Sequence, residues 1–582
     1  MSDERIVPTP APADLPTVKI LIDGQEMNRE YNLLSITTLK AVNKIPSALI
    51  TLMDGDAALE DFPLSNSDDF VPGKEIEVKA GYHANDSTIF KGILVRHALR
   101  VRNETPSMLV IECKDPAVRM TTVRKNAYFD GPKDSDIIEE ILSAYDVESD
   151  VEQTAVEHQE MLQYYASDWD FIVSRAEVNG KLVLVDDGKV SVKAPDTSQE
   201  PVLNLLYGSS ILELEAEMDA RHHYSSITSK SWDFASQEMI EESSDTPNFG
   251  EQGNLGAQDL SAVTGEAGFV LQHSGQINDQ EIKAWADAKM LRGHLAKIIG
   301  RVKCQGFGDI KPGHMLALGG VGERFNGSAF VTAVRHKITQ KNWETDIQFG
   351  LSEKWFTRQV EIMDEPAAGL LAAVHGLQIG VVSQLQEDPD GEHRILVKMP
   401  VVDPAHDGIW ARVSTLDAGN NRGSFFRPEI GDEVILGFIN DDPRDPIVLG
   451  MLNSSAKPAP LEASDDNHEK GFVTRSGIKM IFNDEESSFT LETPNGNTIK
   501  VSDDEGSIVL QDENNNIMTL NSDGMTLESG ADITIKASGN IALEGTDVEI
   551  KAGGQFKAEG SSGAELSTGA TAVVKGSLVQ IN

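Results

Sequence analysis

The residues best able to do chemistry in this chain are few and scattered. His222 and His223 stand side by side near Asp219, a set that could hold a metal ion. Adjacent side chains on a strand point to opposite faces, so a strand there would split the pair and exclude a shared ion. Asp432 and Glu433 are neighbouring carboxylates, the raw material of a general acid and base, and the same alternation would separate them. The runs GFG (306–308) and GGVGERFNG (319–327) suggest phosphate-cradling loops, yet neither is followed by Lys-Ser/Thr and a clean helix. Loop geometry is the expectation for both. Acidic stretches at Asp503–Glu505 and Asp512–Asn516 could bind calcium weakly, but solvated turns account for them more simply. Cys113 and Cys304 lie far apart without a CxxC partner, which argues for two free buried thiols rather than a disulfide framework or zinc site. No catalytic residue, cofactor or metal site is assigned on these grounds.

The elements that would have to position such residues come from a chain of 582 residues, long enough for three or four domains. Its net charge of −43 argues against a nucleic-acid-binding face, which phosphates would repel, and against anionic membrane surfaces as resting partners. The N-terminal run MSDERIVPTPAPADLP has neither a basic nor an apolar signal region, so residues 1–15 read as a disordered arm and synthesis in the cytoplasm without a signal peptide is expected. The most apolar stretch, GLLAAVHGLQIGVV (369–382), is too short for a membrane span and carries His375.

Three textures succeed one another. Residues 16–360 mix strands such as TVKILI (17–22), EIEVKAGY (75–82) and FKGILVRHALRVR (90–102) with helices. The helices are SDIIEEILSAY (135–145), DWDFIVSRAEVNG (168–180), with Asp168 as N-cap and Gly180 as stop, and a segment at 280–299 with apolar residues at helical spacing. The polar, Gly-rich stretch 236–268 reads as a long exposed loop. After a linker (361–375), residues 376–455 carry five short strands: 378–384, 393–399, 409–415, 432–439 and 446–452. DPDG (388–391) reads as a hairpin turn joining the first two, and the set suits an OB-fold barrel. A second linker (456–471) leads to residues 472–582.

That last segment repeats. Apolar pairs at i and i+2 recur as Ile508/Leu510, Met525/Leu527, Ile533/Ile535, Ile541/Leu543 and Val548/Ile550, with glycines between many of them. Such a pair places two apolar side chains on one face of a short strand, and glycine permits the turn to the next. Two inward residues per strand, at about 25 cal/mol per Å2 of buried apolar surface, hardly offset ordering costs of about 1–2 kcal/mol per residue. Three chains wound about one axis would share the apolar interior and close the strand edges. Monomeric solenoids need turns of about 20 residues or more, so the short period favours an intertwined trimeric β-helix. Charge thins towards the end, where Leu578, Val579, Gln580, Ile581 and Asn582 make a blunt tip suited to docking a cap.

The stretch 409–452 resembles the OB-fold of the VgrG family and of phage tail spikes. The matching positions include Trp410, Arg412, Gly419, Pro428, Gly431, Asp432, Glu433, Pro446 and Gly450. Segments 167–190 and 302–339 resemble the phage tail-hub domain, and FKGILV (90–95) resembles one of its strands. The resemblance implies a mainly β fold with an α+β hub, an OB-fold collar and a trimeric β-helical needle. It further implies a non-enzymatic homotrimer that joins an inner tube protein and baseplate proteins to a piercing needle. A PAAR-type tip protein and effector cargo are the other expected partners, with the target membrane met only on firing and the assembled particle extracellular or injected. The opening strands depart from classical type VI members, which favours a phage-tail-like or extracellular contractile injection system, or a divergent type VI variant, as the owner. The competing reading is a tail-spike enzyme that degrades peptidoglycan or polysaccharide.

Overall fold

The computed structural model describes residues 15–581 apart from 84, 104, 248, 251, 265–267, 341, 359–361 and 363. Most of the expected N-terminal arm, and Asn582, therefore lie outside the described residues. The chain divides into two units, residues 1–374 with 440–443 and residues 375–439 with 444–582.

In the first unit β1 (Thr17–Ile22), β2 (Gln25–Glu26), β3 (Leu33–Ala41), β4 (Ser47–Met53), β5 (Glu75–Tyr82), β6 (Asn85–Arg102) and β7 (Thr105–Lys114) come first. β8 (Arg124–Asp130), α1 (Asp134–Ser143), β9 (Glu148–Val151), β10 (Glu160–Ser167), α2 (Asp168–Val178), β11 (Leu182–Asp186) and β12 (Lys189–Lys193) come next. The unit then runs through β13 (Leu203–Leu206), β14 (Glu213–Met218), β15 (Ser226–Asp233), β16 (Glu238–Ser243), α3 (Ala257–Thr264), β17 (Gly268–His273) and α4 (Asp279–Leu295). It ends with β18 (Ile298–Gln305), β19 (Met315–Gly319), β20 (Gly327–Thr339) and β21 (Trp343–Phe349).

One large sheet organises this unit in the order β14-β18-β21-β20-β3-β4-β7-β6-β5-β1-β2. Period-two patterning builds it: in β4, Ala48, Ile50 and Leu52 are buried while the residues between them are half-buried. On the core face Leu214, Val302, Ile347 and Val334 lie side by side across four strands. Ile338, also on β20, continues that face through Ile36, Ile50, Ile111 and His97 across the next four. The opposite face carries charge instead, with Glu213, Lys303, Asp346 and Arg335 in register.

α1 and α2 share a second core with β11 and β12. The N-cap of α2 is Ser167 rather than the expected Asp168: the Ser167 hydroxyl accepts the Asp170 N–H at 3.1 Å. Asp168 is instead buried, bonded by Gln163, Tyr145 and Lys125 at 2.9, 2.6 and 2.6 Å. The stretch 236–268 is not one loop. β16 pairs with β15, where Lys230 meets Glu241, and α3 lies beyond it in the chain. Its polar composition reflects an exposed strand. α4 also differs from a helix with one apolar stripe. It buries Ile282, Ala286 and Met290 on one row and Ala288, Arg292 and Leu295 on another, so a charged residue sits inside.

Gly306 explains the GFG run. A β-carbon there would lie 2.0 Å from Cδ2 of Trp343, which is 2% exposed and stacks on Tyr82 at 5.4 Å. Glycine is needed for close packing on the indole. Gly306→Ala is expected to destabilise the first unit by about 1–3 kcal/mol through overpacking, read as a lower denaturant midpoint. Beside it, His336 is buried against Thr345 and Trp343. Burial pushes its pKa down to about 3, whereas a free imidazole titrates near about 6.5. The unfolded chain thus takes up a proton that the folded chain refuses. Stability is whole above about pH 6.5 and falls as pH drops towards the folded value. His336→Gln is expected to flatten the fall in melting temperature between about pH 6.5 and about pH 4.

In the second unit β22 (Gln378–Gln384), β23 (Ile395–Lys398), β24 (Ile409–Val413), β25 (Ala418–Gly419), β26 (Arg422–Gly423), β27 (Glu433–Phe438) and β28 (Pro446–Met451) appear. β22-β23-β24-β28-β27 close a barrel around Val382, Ile395, Val397, Ala411, Val434, Leu436 and Val448. DPDG does form a turn, with the Gly391 N–H donating to the Asp388 carbonyl at 3.1 Å, inside the longer connection from β22 to β23.

β29 (Glu469–Val473), β30 (Lys479–Asn483), β31 (Ser488–Glu492), β32 (Thr498–Ser502), β33 (Ser507–Gln511), β34 (Ile517–Asn521) and β35 (Gly524–Glu528) complete the unit. Within one copy they form an antiparallel meander in sequence order, where the repeat suggests a winding β-helix. The reason is local. Ser487, Gly496, Gly506, Asn515 and Gly524 take positive φ and reverse the chain from strand to strand. From 529 to 581 the chain makes no strand ladder within the copy.

Candidate assembly interface

The meander carries one continuous apolar face. Phe472, Met480, Leu491, Ile499, Leu510, Met518 and Leu527 are cross-strand partners in unbroken succession over all seven strands. Two residues along each strand, Phe482, Phe489, Val501, Ile508, Leu520 and Met525 make a second row, begun by Lys470. Period two puts both rows on one side. The row between them, Gly471, Ile481, Thr490, Lys500, Val509, Thr519 and Thr526, faces the other way and is mixed.

This face is ordered but uncovered. Ile508 and Leu510 are 40% and 39% exposed, and Met525 and Leu527 are 63% and 61% exposed. A trough of about 590 Å3 runs along it, lined by Leu491, Ile499, Leu510, Met518, Leu527 and Ile533 among others. Each half-exposed Ile, Leu or Met has about 1 kcal/mol still to gain from full burial. Apolar patches of this extent mark interaction surfaces. Further on, Ile533, Ile535, Ile541, Leu543, Val548 and Ile550 are all more than half exposed, as are Leu578 and Ile581, while Val579 is 47% exposed.

Of the needle residues singled out in the sequence, the structure thus gathers Ile508, Leu510, Met525 and Leu527 on one face and leaves the remaining six on the unladdered segment. Sequence reasoning missed Phe472, Met480, Phe482, Phe489, Leu491, Ile499 and Val501. The signal was present: Met480/Phe482, Phe489/Leu491 and Ile499/Val501 are i, i+2 pairs of the same kind, upstream of where the glycines become regular.

Two of the OB-fold residues, Gly431 and Asp432, sit where the barrel turns into β27. Gly431 has φ +86°, and the Asp432 carboxylate accepts the Glu429 N–H at 2.8 Å and Lys457 Nζ at 2.8 Å. Asp432 therefore lies in the turn before β27, not on a strand beside Glu433, and its role is to close that turn. Trp410 and Arg412 lie on β24, Gly419 on β25, and Pro446 and Gly450 on β28; Pro428 is buried. The barrel meets the meander through Phe426, which stacks on Phe472 at 5.2 Å, and through a 2.7 Å ion pair between Arg475 and Glu429.

The remaining candidates stay apart. His222 and His223 occupy the connection from β14 to β15 rather than a strand; His223 is buried, and Asp219 is tied to Arg221. Asp512 closes its own turn by accepting the N–H groups of Asn514 and Asn516 at 2.9 and 2.8 Å. Among the described residues no three His, Cys, Asp or Glu side chains converge as metal ligands. Cys113 and Cys304 are free and buried, and burial pushes both thiols up to about 12, so they stay protonated at neutral pH. No helix among the described residues is long and apolar enough to cross a membrane.

Comparison with known proteins bears on these surfaces. Residues 378–452 match the family described as the type VI secretion system/phage-baseplate injector OB domain. Residues 488–557, which span the heart of the bare apolar face and the start of the unladdered segment, match the phage baseplate V C-terminal trimerisation domain. Residues 12–340, more than half of the chain, match the family described as the Alg8 N-terminal domain. The chain belongs to the family described as the Alg8 N-terminal domain. The two domain matches that follow it, and the relatives below, are those of VgrG-like spike proteins.

Among curated relatives, this chain is 26% identical over 215 residues to the type VI secretion system spike protein VgrG1b of Pseudomonas aeruginosa. That match covers 34% of this chain and 28% of the relative's own length. A type VI spike protein of Vibrio cholerae, VgrG3, is 37% identical over 67 residues, 12% of this chain and 6% of that one. Among solved structures, a tail protein from Neisseria meningitidis aligns with a TM-score of 0.43 at 13% identity, over 59% of this chain and 98% of that one.

Proposed function

We propose that this spike works as the structural hub and needle of a contractile injection machine, as a homotrimer. The observation that supports it is the unbroken two-row apolar face of the meander, left uncovered in one copy, within a segment that matches a trimerisation domain. Three such faces turned towards a common axis bury each other, and the exposed pairs from Ile533 to Ile550 continue that axis outwards. Residues 472–582 then act as needle, residues 376–455 as collar and residues 16–360 as hub, on which the inner tube and baseplate proteins would dock. The terminal residues Leu578, Val579, Gln580, Ile581 and Asn582 would seat a PAAR-type tip protein, and effector cargo would travel with the spike. The role is mechanical rather than catalytic, and the target membrane is met only when the machine fires.

Light scattering on the purified full-length chain is expected to give three times the 63.2 kDa chain mass, with resistance to detergent and heat. A monomer at micromolar concentration would remove the basis of this reading. Zymography on peptidoglycan and capsule is expected to be blank; clear lysis would favour the tail-spike enzyme instead.

A further inference from the structure

We infer that the outer face of the β8–β10 ribbon is the docking site for a different subunit of the machine, one that brings a lysine or arginine beside apolar side chains. This rests on the structural-spike reading above and names a surface to which that reading gives no role.

β8 and β10 form a two-stranded ribbon, and among the described residues neither has a second strand beside it. The inner face is anchored. Phe129 and Met161 are cross-strand partners on the second core, Phe129 stacks on Phe171 at 5.9 Å, and Gln163 is buried. Alternation then sends Tyr128, its partner Leu162 and, two residues on, Tyr164 outwards. Tyr128 is 79% exposed and Tyr164 72%.

The ribbon is bent to widen this face. Register shifts between Gln163 and Ala166, and Tyr165 takes φ +40°, a left-handed conformation uncommon for a tyrosine. Asn126 Oδ1 accepts the Tyr165 N–H at 2.8 Å. Arg124 donates to the Tyr165 carbonyl at 3.0 Å and lies over its ring at 5.5 Å. As a result Tyr164 and Tyr165, neighbours in sequence, are both exposed, where a regular strand would turn one of them inwards. Tyrosine is enriched where proteins meet, because it brings a large, stiff contact area with a polar tip.

Charge says what kind of partner fits. Asp130 and Glu160 stand directly opposite each other on the ribbon and are both exposed. Like charges so placed repel. Neither carboxylate makes an ion pair with a described residue, and Lys133 is taken up by Glu157 at 3.6 Å. A cation laid over the pair removes the repulsion. The pair lies two residues from Tyr128 on one strand and two from Leu162 on the other, about 6.6 Å along the ribbon. An extended segment with a lysine or arginine at one position and an apolar residue two further on meets both needs at once. A second copy of this chain, at net charge −43, is a poor source of that cation. The same carboxylates repel anionic lipid and nucleic acid.

The test uses intact particles in which Tyr128 or Tyr164 of the full-length chain is replaced by the photo-cross-linker p-benzoylphenylalanine, with Thr228 on β15 as the control position. Irradiation is expected to join positions 128 and 164 to one segment of one other particle subunit, close to a lysine or arginine of that segment, and the control is expected to miss it. Cross-links only between copies of this chain, cross-links to a segment without a cation, or no cross-links overturn the inference. A particle that lacks this chain sinks the structural reading instead. Two variants then separate charge from aromatic contact, D130K/E160K and Y128S/Y164S. Both alter exposed side chains, and light scattering is expected to give an unchanged mass for each. Each is expected to lower the amount of that subunit recovered with the spike at least about ten-fold. Unchanged recovery with both would overturn the docking site.

Discussion

Leu510→Asp is expected to convert the trimer into monomers. Leu510 lies mid-row on the bare face, between Ile499 and Met518. In the assembly three carboxylates would meet at the axis without partners. An unpaired buried charge costs at least about 3 kcal/mol per copy, and three copies together correspond to a loss of more than about a millionfold in association. Light scattering over a dilution series reads the effect directly. Thr519→Asp is the control, since it introduces the same charge on the opposite face of the same sheet and is expected to change stability by less than about 0.5 kcal/mol. A trimeric Leu510→Asp protein would show that the apolar rows are not the interface.

Asp134→Ala is expected to be the most damaging single change in the hub. Asp134 is wholly buried at the start of α1. It accepts bonds from Arg175 Nε and Nη2 at 2.6 and 3.0 Å, from Asn179 at 2.8 Å and from His158 at 3.1 Å. Arg175 also reaches Glu281 at 2.8 Å, so the cluster ties α1, α2 and α4 together. Removing the carboxylate leaves the Arg175 guanidinium buried with Glu281 as its remaining carboxylate partner, at a cost of about 3–5 kcal/mol. A lower midpoint in the hub's denaturant transition, with unchanged slope, would register it. The same site sets an acid limit. Burial alone would raise the Asp134 pKa, but the bonds from His158 and Arg175 outweigh it and hold the carboxyl well below its usual range. Its contribution is therefore present above about pH 4, the unfolded value, and is lost as pH falls towards the folded one. Below that pH the Asp134→Ala protein should lose stability less steeply than the parent, since the group that titrates is gone.

Alternation makes much of this fold readable from the residues alone. β1 and β5 run over the residues that the pattern marks, because each strand has one face on the core and one off it. The barrel strands are readable for the same reason, with Asp432 as the exception, since alternation places it on a strand and its carboxylate instead closes the turn before β27. The features that escape are long-range. Nothing local in the sequence ties Arg292 to Glu177 or Asp134 to Arg175 and Glu281, since these partners come from elements far apart in the chain. A polar run such as 238–243 reads as loop when its only ladder is to one neighbouring strand. Ser167 and Asp168 are both good caps by type, and only the backbone decides between them. In the needle, the pairs are visible but not their order, because one pattern serves a winding helix and a meander equally well.

The positive-φ reversals between β29 and β35 have a consequence for how the molecule comes into being. Each hairpin of the meander joins residues close in sequence, so it can form quickly inside a single nascent chain. The stretch after Glu528 has no strand ladder of its own, and in the proposed trimer its contacts come from the other copies. Its rate of maturation should then climb steeply with protein concentration while the meander's does not. A cell could thus stockpile half-finished subunits and let abundance alone decide when they harden into a needle.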